Sequence, residues 1–209
     1  MRLSTHLVSL VSLLLVGSTA LACGSDDGPA QGSNEALSTE EAQSLTFTRE
    51  EEKLARDVYA ALESKDTVFS NIKSSEQTHM DAILTLLTRY SLPDPAANKA
   101  TGQFTDATLQ KLHDELVAQG APSTVAALQV GVAIEELDIR DIEAARKSVT
   151  HTDILTTYDN LTRGSRNHLR SFYGKVKALG GSYTPRYLDA AQFQQIVDSP
   201  TETGGGPGR

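Results

Sequence analysis

The chain has 209 residues, 39% of them hydrophobic and 22% charged, which is enough for one globular domain with short appendages. A formal net charge of −8 and an aromatic content of 5% argue against a nucleic-acid-binding protein, which needs a basic face or stacking aromatics. The single cysteine excludes an internal disulfide and a cysteine-rich metal site.

The first 22 residues have the pattern of an export signal. An arginine near the start precedes an apolar run that is too short for a membrane span and ends in small residues. The string ALAC, which ends at Cys23, resembles a bacterial lipobox, in which this cysteine is acylated and becomes the new N-terminus. We predict a signal peptide over 1–22 and lipidation at Cys23. The alternative is an ordinary signal peptide that leaves Cys23 free.

Polar segments flank the predicted domain on both sides. Residues 23–44 are rich in Gly, Ser and acids, and we expect a flexible linker. Residues 199–209 end in GGGPGR, and we expect a disordered tail. The folded domain is therefore predicted to span 45–198.

Apolar residues recur at helical spacing throughout this domain, with no sustained period of two. Thr48 is the predicted cap of the first helix, and Thr105 that of a short helix in the middle of the chain. Four long helices of this kind favour a four-helix bundle. The predicted helices run from about 49 to 64, 68 to 90, 106 to 119, 123 to 147, 153 to 179 and 190 to 197.

An internal repeat relates the two halves of the domain. EEKLARDV at 51–58 matches EELDIRDI at 135–142, and an Asn followed by Ile or Leu precedes both His79 and His168 at equal spacing. We predict two related helical hairpins joined by a crossover that contains the short helix. This register pairs Glu51 with Glu135. The alternative is a coincidence between two amphipathic helices.

The apolar stripe of each long helix carries an acid or a histidine. A helical wheel puts the following residues on the four stripes in chain order: Glu51; Glu76 with His79; Glu135; and His168. Glu52 lies about 100° from Glu51, beside Tyr59. Unpaired buried carboxylates are costly, so these positions predict a bound cation. Oxygen and imidazole ligands without thiolate suit iron or manganese, with zinc possible.

Each of these signals has a simpler interpretation. The glutamates near residue 51 are also favoured at a helix N-terminus, Glu76 and His79 are also typical of an exposed pair, and His168 of a hydrogen-bonded core residue. Another alternative is a bundle whose buried acids pair with arginines and bind no metal. Gly131 and Gly164 are predicted to leave room for metal and substrate. We expect surface positions for the Arg56–Asp57 and Arg140–Asp141 pairs, His113 and His151.

The predicted constellation resembles the di-iron carboxylate site of the ferritin-like superfamily, in which two helices give one Glu each and two give Glu-x-x-His. The strings EEEKLARDVY, NIKSSEQTHMDAILTLLTRY, LVAQG, VGVAIEELDIRDIE and NLTRGSRNHLRSF resemble the bacterial and archaeal family called domain of unknown function 2202. The resemblance implies a ferritin-like fold. It implies terminal ligands at Glu51 and Glu135, a bridge at Glu76, and nitrogen ligands at His79 and His168.

The sequence departs from the full di-iron pattern at one position. Ser165 stands three residues before His168, where the pattern has Glu. Asp138, one turn after Glu135, could replace that carboxylate, and Glu52 is a further possible ligand. Otherwise the site holds one metal, or two that are bound unequally.

Together these observations predict an exported, lipid-anchored metalloprotein of the bacterial cell envelope, attached to the membrane through its N-terminal lipid. The resemblance implies redox chemistry at iron, in which the protein oxidises Fe(II) or consumes peroxide or dioxygen. Tyr59 would be a hydrogen-bond donor to a ligand or a redox-active neighbour. The alternative is a non-enzymatic bundle that carries metal or has a structural role. The sequence leaves open which of the two holds.

Overall fold

The computed structural model describes residues 36–204, and this part of the chain is all-α, with no β-strand. The predicted signal peptide and Cys23 lie outside the described residues. No helix within 36–204 combines the length and the apolar composition that crossing a membrane requires. The helices are α1 (Thr39–Leu62), α2 (Val68–Arg89), α3 (Ala107–Gly120), α4 (Thr124–Ala145), α5 (Thr152–Ala178) and α6 (Ala190–Asp198), with a 3₁₀ turn at Arg146–Ser148.

The first helix begins ten residues earlier than predicted, so 39–44 belong to α1 and not to a linker. Ser38 caps it in a reciprocal capping box with Glu41, and Thr48 lies in the helix interior.

Glu41 also accepts hydrogen bonds from the backbone N–H of Thr150 and of His151. His151 is therefore buried in contact with Glu41, not at the surface. These partners lie about 110 residues away, so local sequence pattern does not reveal them.

The four long helices pack in two pairs. α1 packs most extensively against α2, and α4 against α5. The two pairs meet through α1 with α4 and through α2 with α5, while α3, in the crossover, contacts α1 and α4. Asp106, not Thr105, caps α3.

The apolar core has two clusters, and a polar segment separates them along α1, α2 and α5. On α1 the acidic run lies between Leu45 of one cluster and Leu54 of the other. On α2, Glu76 and His79 lie between Ile72 and Ile83 in the same way. The buried polar residues thus form a layer with apolar side chains on either side.

The end of the described chain is held against α5. Glu202 accepts hydrogen bonds from Arg166 and Arg170, and its backbone N–H donates to Asn167. The prediction of a disordered tail is therefore wrong for residues 199–202, while 205–209 lie outside the described residues. The tail is held by ion pairs between Glu202 and two arginines at least 32 residues earlier in the chain. Apolar periodicity, on which the prediction is based, does not reveal such pairs.

Candidate metal centre

Glu76 lies at the centre of the polar layer, fully buried between two histidines. Its Oε2 is 2.8 Å from Nδ1 of His79, and its Oε1 is 2.8 Å from Nδ1 of His168. The two imidazole rings are stacked with their centroids 5.6 Å apart. The spacing Glu-x-x-His on α2 brings Glu76 and His79 together because residues three apart share a helix face.

A further glutamate flanks each histidine. Oε2 of Glu52 is 3.2 Å from Nδ1 of His79, and Oε2 of Glu135 is 3.5 Å from Nδ1 of His168. Two groups of possible ligands result, Glu52–Glu76–His79 and Glu76–Glu135–His168, and they share Glu76. Two ligand atoms that are each about 2.1 Å from one ion are about 3.0 to 3.4 Å apart. The separations of 2.8 to 3.5 Å lie within about 0.2 Å of this range.

Glu51 belongs to neither group, although the repeat and the helical wheel both predict it as a ligand. It is buried beside Asp141, and Glu52 takes the position next to His79. α1 contacts α2, α3 and α4, and residues 49–55 are all buried, so a wheel cannot tell which acid faces the centre. The structure therefore pairs Glu52 with Glu135, one residue away from the register of the repeat.

The acids lie in two runs of consecutive glutamates, 50–52 in α1 and 135–136 in α4. Glu50 and Glu136 bind the backbone of loops. Glu50 accepts the backbone N–H groups of Thr105 and Asp106 in the crossover. Glu136 accepts those of Arg186 and Leu188, in the segment that leads to α6. The ligand is thus the last glutamate of the run in α1 and the first in α4, which explains why matching EE with EE selects the wrong residue.

Asp138 lies on α4 one turn after Glu135, and like Glu51 it belongs to neither group of possible ligands. It is buried, neither of its carboxylate oxygens has a hydrogen-bond partner, and it interacts electrostatically with Glu52 and Glu135. Ser165, which stands where the di-iron pattern has Glu, is buried and donates its hydroxyl to the Leu161 carbonyl. Neither group of possible ligands therefore contains a carboxylate in place of the one that Ser165 lacks.

Two hydroxyl groups orient the ligands. Tyr59, fully buried, donates a hydrogen bond of 2.5 Å to Oε1 of Glu135, as one of its predicted roles requires. Oγ of Ser75 lies 3.0 Å from Nε2 of His168 and turns Nδ1 of that ring toward the centre. Sequence reasoning missed Ser75, because one serine in a helix carries no signal of such a contact.

Gly131 and Gly164 each leave space that the side chain of another residue fills. A Cβ on Gly164 would lie 2.6 Å from Nε2 of His79, so this glycine lets a possible ligand approach α5. A Cβ on Gly131 would lie 2.6 Å from the ring of Phe172. Gly131 therefore accommodates an aromatic residue that packs on Tyr59, and the prediction that it makes room for metal is wrong.

Three buried acids and His168 at or near the centre have raised pKa values, so they bind protons or another cation more readily than exposed groups do. Burial raises the pKa of Glu52 to about 6, and burial together with nearby Glu76 raises the pKa of Glu135 to about 7. Burial also raises the pKa of Asp138 well above its ordinary value. Although burial lowers the pKa of a histidine, nearby Glu76 and Glu135 raise that of His168 to about 10. Without metal the centre therefore holds protons, which a bound cation would displace.

Within the described part of the chain, buried side-chain atoms without a partner occur only in this centre and in the nearby Asp138. Within residues 36–204, six buried side-chain atoms lack a hydrogen-bond partner. They are both carboxylate oxygens of Glu76 and of Asp138, Oε2 of Glu135 and Nδ1 of His168. The short contacts of Glu76 with the histidines do not have hydrogen-bond angles, so they leave its oxygens unsatisfied. Such atoms are rare in native proteins, and cations held by the two groups would satisfy those of Glu76, Glu135 and His168.

Comparison with known proteins agrees with the sequence strings. The profile of the family described as "Uncharacterized protein domain (DUF2202)" matches residues 41–200. "Uncharacterized protein MJ0754" of Methanocaldococcus jannaschii is 45% identical over 170 residues, which are 80% of this chain and 92% of the relative. The crystal structure of hypothetical protein MJ0754 from Methanococcus jannaschii has a TM-score of 0.79 at 43% identity, over 83% of this chain and 100% of that one. The chain therefore belongs to the DUF2202 family.

Proposed function

We propose that this protein is a metalloprotein with a ferritin-like four-helix bundle that binds two metal ions, iron being the best fit. Glu52, Glu76 and His79 would hold one ion, and Glu76, Glu135 and His168 the other. Asp138, which is in neither group, would be a further carboxylate close to the ions. The observation that carries the proposal is the buried Glu76, whose two oxygens lie between two histidines without a hydrogen-bond partner.

The bundle is supported by the pairing of the long helices. α1 packs on α2 and α4 on α5, and each of the four contributes at least one side chain to the centre. Two glutamates, one Glu-x-x-His and one histidine match the carboxylate–histidine set of ferritin-like di-metal proteins except at Ser165. All the donors are carboxylate or imidazole groups, which suit iron or manganese, with zinc also possible.

The chemistry we propose is redox. Two Fe(II) ions would supply two electrons, which with two protons from solvent convert hydrogen peroxide to two waters. Glu76 would hold both ions, and the apolar clusters on either side of the centre keep bulk water out. Tyr59 keeps Glu135 in position and holds a proton at Oε1 of that carboxylate.

Metal analysis of the protein purified from iron-fed cells tests this function. We expect two ions per chain and oxidation of added Fe(II) by peroxide faster than in buffer. Glu76→Gln removes the shared charge and should lose both ions, whereas the control Glu115→Gln changes an exposed acid of α3 and should keep both. Equal metal content in the two variants would contradict the proposal.

Ser165 favours a second candidate function, a non-enzymatic metal carrier. Its buried hydroxyl bonds the Leu161 carbonyl and adds no charge, so a metal near His168 would have fewer carboxylates than in the full di-iron pattern. A carrier would bind metal as strongly but leave the rate of Fe(II) oxidation at the level of buffer. The same assay therefore separates the two functions.

We also propose that the protein is exported and anchored through lipid on Cys23, on the basis of its N-terminal sequence alone. Several acyl chains would hold it firmly on a membrane. Cys23→Ser should release the protein from the membrane fraction or block its processing. A serine variant that fractionates and migrates like the parent protein would contradict the anchor.

A further inference from the structure

Three acids lie in one row along α4. Glu135, Asp138 and Asp141 are spaced by three, so each side chain neighbours the next along the helix surface. Glu135 is fully buried at the centre, Asp138 is buried, and the side chain of Asp141 is 24% exposed. The row therefore leads from the possible metal ligands to the surface of the protein.

Glu51 joins this row from α1. It is buried, and it interacts electrostatically with Asp141 and Asp138. Of the four acids in the row and beside it, Asp138 is the one with both oxygens unpartnered. A buried carboxylate without a partner, between an outer pair of acids and the centre, is itself an indication that a cation occupies this position.

Arg140 closes the outer end. Its guanidinium donates two hydrogen bonds to Asp141, at 2.6 and 2.7 Å, and stacks over the ring of Tyr187 at 5.2 Å. The side chain of Arg140 is 43% exposed, and exposed ion pairs of this kind are weak and open readily. Loss of this ion pair would leave the carboxylate of Asp141, which is 24% exposed, free to bind a cation.

The matching pair in α1 does not form a second opening. Asp57, which the repeat aligns with Asp141, is 1% exposed and binds the buried Lys53 as well as Arg56. Lys53 also donates to the Ala100 carbonyl in the crossover, which covers this side. Of the two related pairs, only Arg140–Asp141 joins a partly exposed acid to the buried row.

From this arrangement we propose that Asp141, Glu51 and Asp138 form an acidic path for a divalent cation between the surface and the metal centre, and that Arg140 gates it. The inference rests on the proposed metal centre. It gives Glu51 a role that is not that of a resident ligand. Carboxylates that lead toward a buried site raise the local concentration of cations and so speed their uptake.

The rate of Co²⁺ uptake by the full-length protein, stripped of metal and followed by stopped-flow absorbance, tests the path. Glu51→Gln should take up two ions about tenfold more slowly than the control Glu115→Gln, the lower end of the effect of charged clefts on association. Arg140→Gln should be faster than Arg146→Gln, which breaks a similar exposed pair with Asp159 away from the path.

The outcomes separate the two proposals. If each variant binds two ions at the rate of its own control, the acidic path is wrong and the metal centre stands. If the parent protein takes up no Co²⁺, both are wrong. Arg140 is exposed, so Arg140→Gln decides the question even if Glu51→Gln does not fold.

Discussion

Substituting Gly164 by alanine would test the metal centre through its packing. The new Cβ would lie 2.6 Å from Nε2 and 2.7 Å from Cε1 of His79, where ordinary contact begins at 3.4 Å. The imidazole would have to move by about 0.8 Å, and metal ligands tolerate about 0.2 Å. We therefore expect Gly164→Ala to lose the ion at Glu52, Glu76 and His79 and to keep the ion at His168.

The same substitution should have a modest effect on stability without metal. Overpacking costs about 1 to 3 kcal/mol, and replacing a helical glycine by alanine returns about 1 kcal/mol. The net loss of about 0 to 2 kcal/mol lowers the melting temperature by up to roughly 8 °C at this size. Gly174→Ala is the control, since nothing lies within 4 Å of its Cβ and it should stabilise the same helix.

Metal titration followed by thermal unfolding in excess chelator would measure both effects. We expect one ion per chain for Gly164→Ala and two for Gly174→Ala. A Gly164→Ala protein that binds two ions as tightly as the parent would refute the assignment of His79 as a ligand.

Three further predictions concern the ligands and the tail. Chelation at pH 7 should lower the melting temperature by at least about 10 °C, because two ions at 100 times their Kd add roughly 5 kcal/mol to the free energy of unfolding. The shift should be smaller in mild acid. A melting curve that does not depend on metal would count against the centre. Tyr59→Phe should cost about 1 to 3 kcal/mol in chelator by leaving Oε1 of Glu135 unpaired, and should weaken one ion about tenfold or more in a titration. Hydrogen bonds from Arg166 and Arg170 lower the pKa of Glu202 to about 2 from its ordinary 4.5. Its contribution of about 1 kcal/mol is therefore present above pH 4.5 and lost as the pH falls toward 2, so Glu202→Gln should be less stable than the parent at pH 7 and converge with it in acid unfolding.

Helix type and order could be predicted from the sequence because the long helices have clear apolar periodicity. α2 begins at Val68 as predicted and ends at Arg89, one residue early. The start of α1 could not be predicted, because its first two turns are polar and depend on Glu41 and Leu45 meeting distant segments. Periodicity reports apolar burial and is blind to such polar contacts.

The acids and histidines of the centre could be found, but not the exact ligand on α1. Glu76, His79, Glu135 and His168 meet as the helical wheels predict. The assignment of Glu51 failed because α1 is buried on several sides, so its apolar stripe does not mark a single direction. Distinguishing neighbouring glutamates requires knowing which helix each one faces.

Anomalous diffraction from crystals grown with Fe(II) or Mn(II) would test the central claim most directly. We predict two peaks, one on each side of Glu76, the first beside Nδ1 of His79 and the second beside Nδ1 of His168, about 3.5 to 4 Å apart. Crystals that contain the metal but show no peak within bonding distance of either Nδ1 would contradict the account.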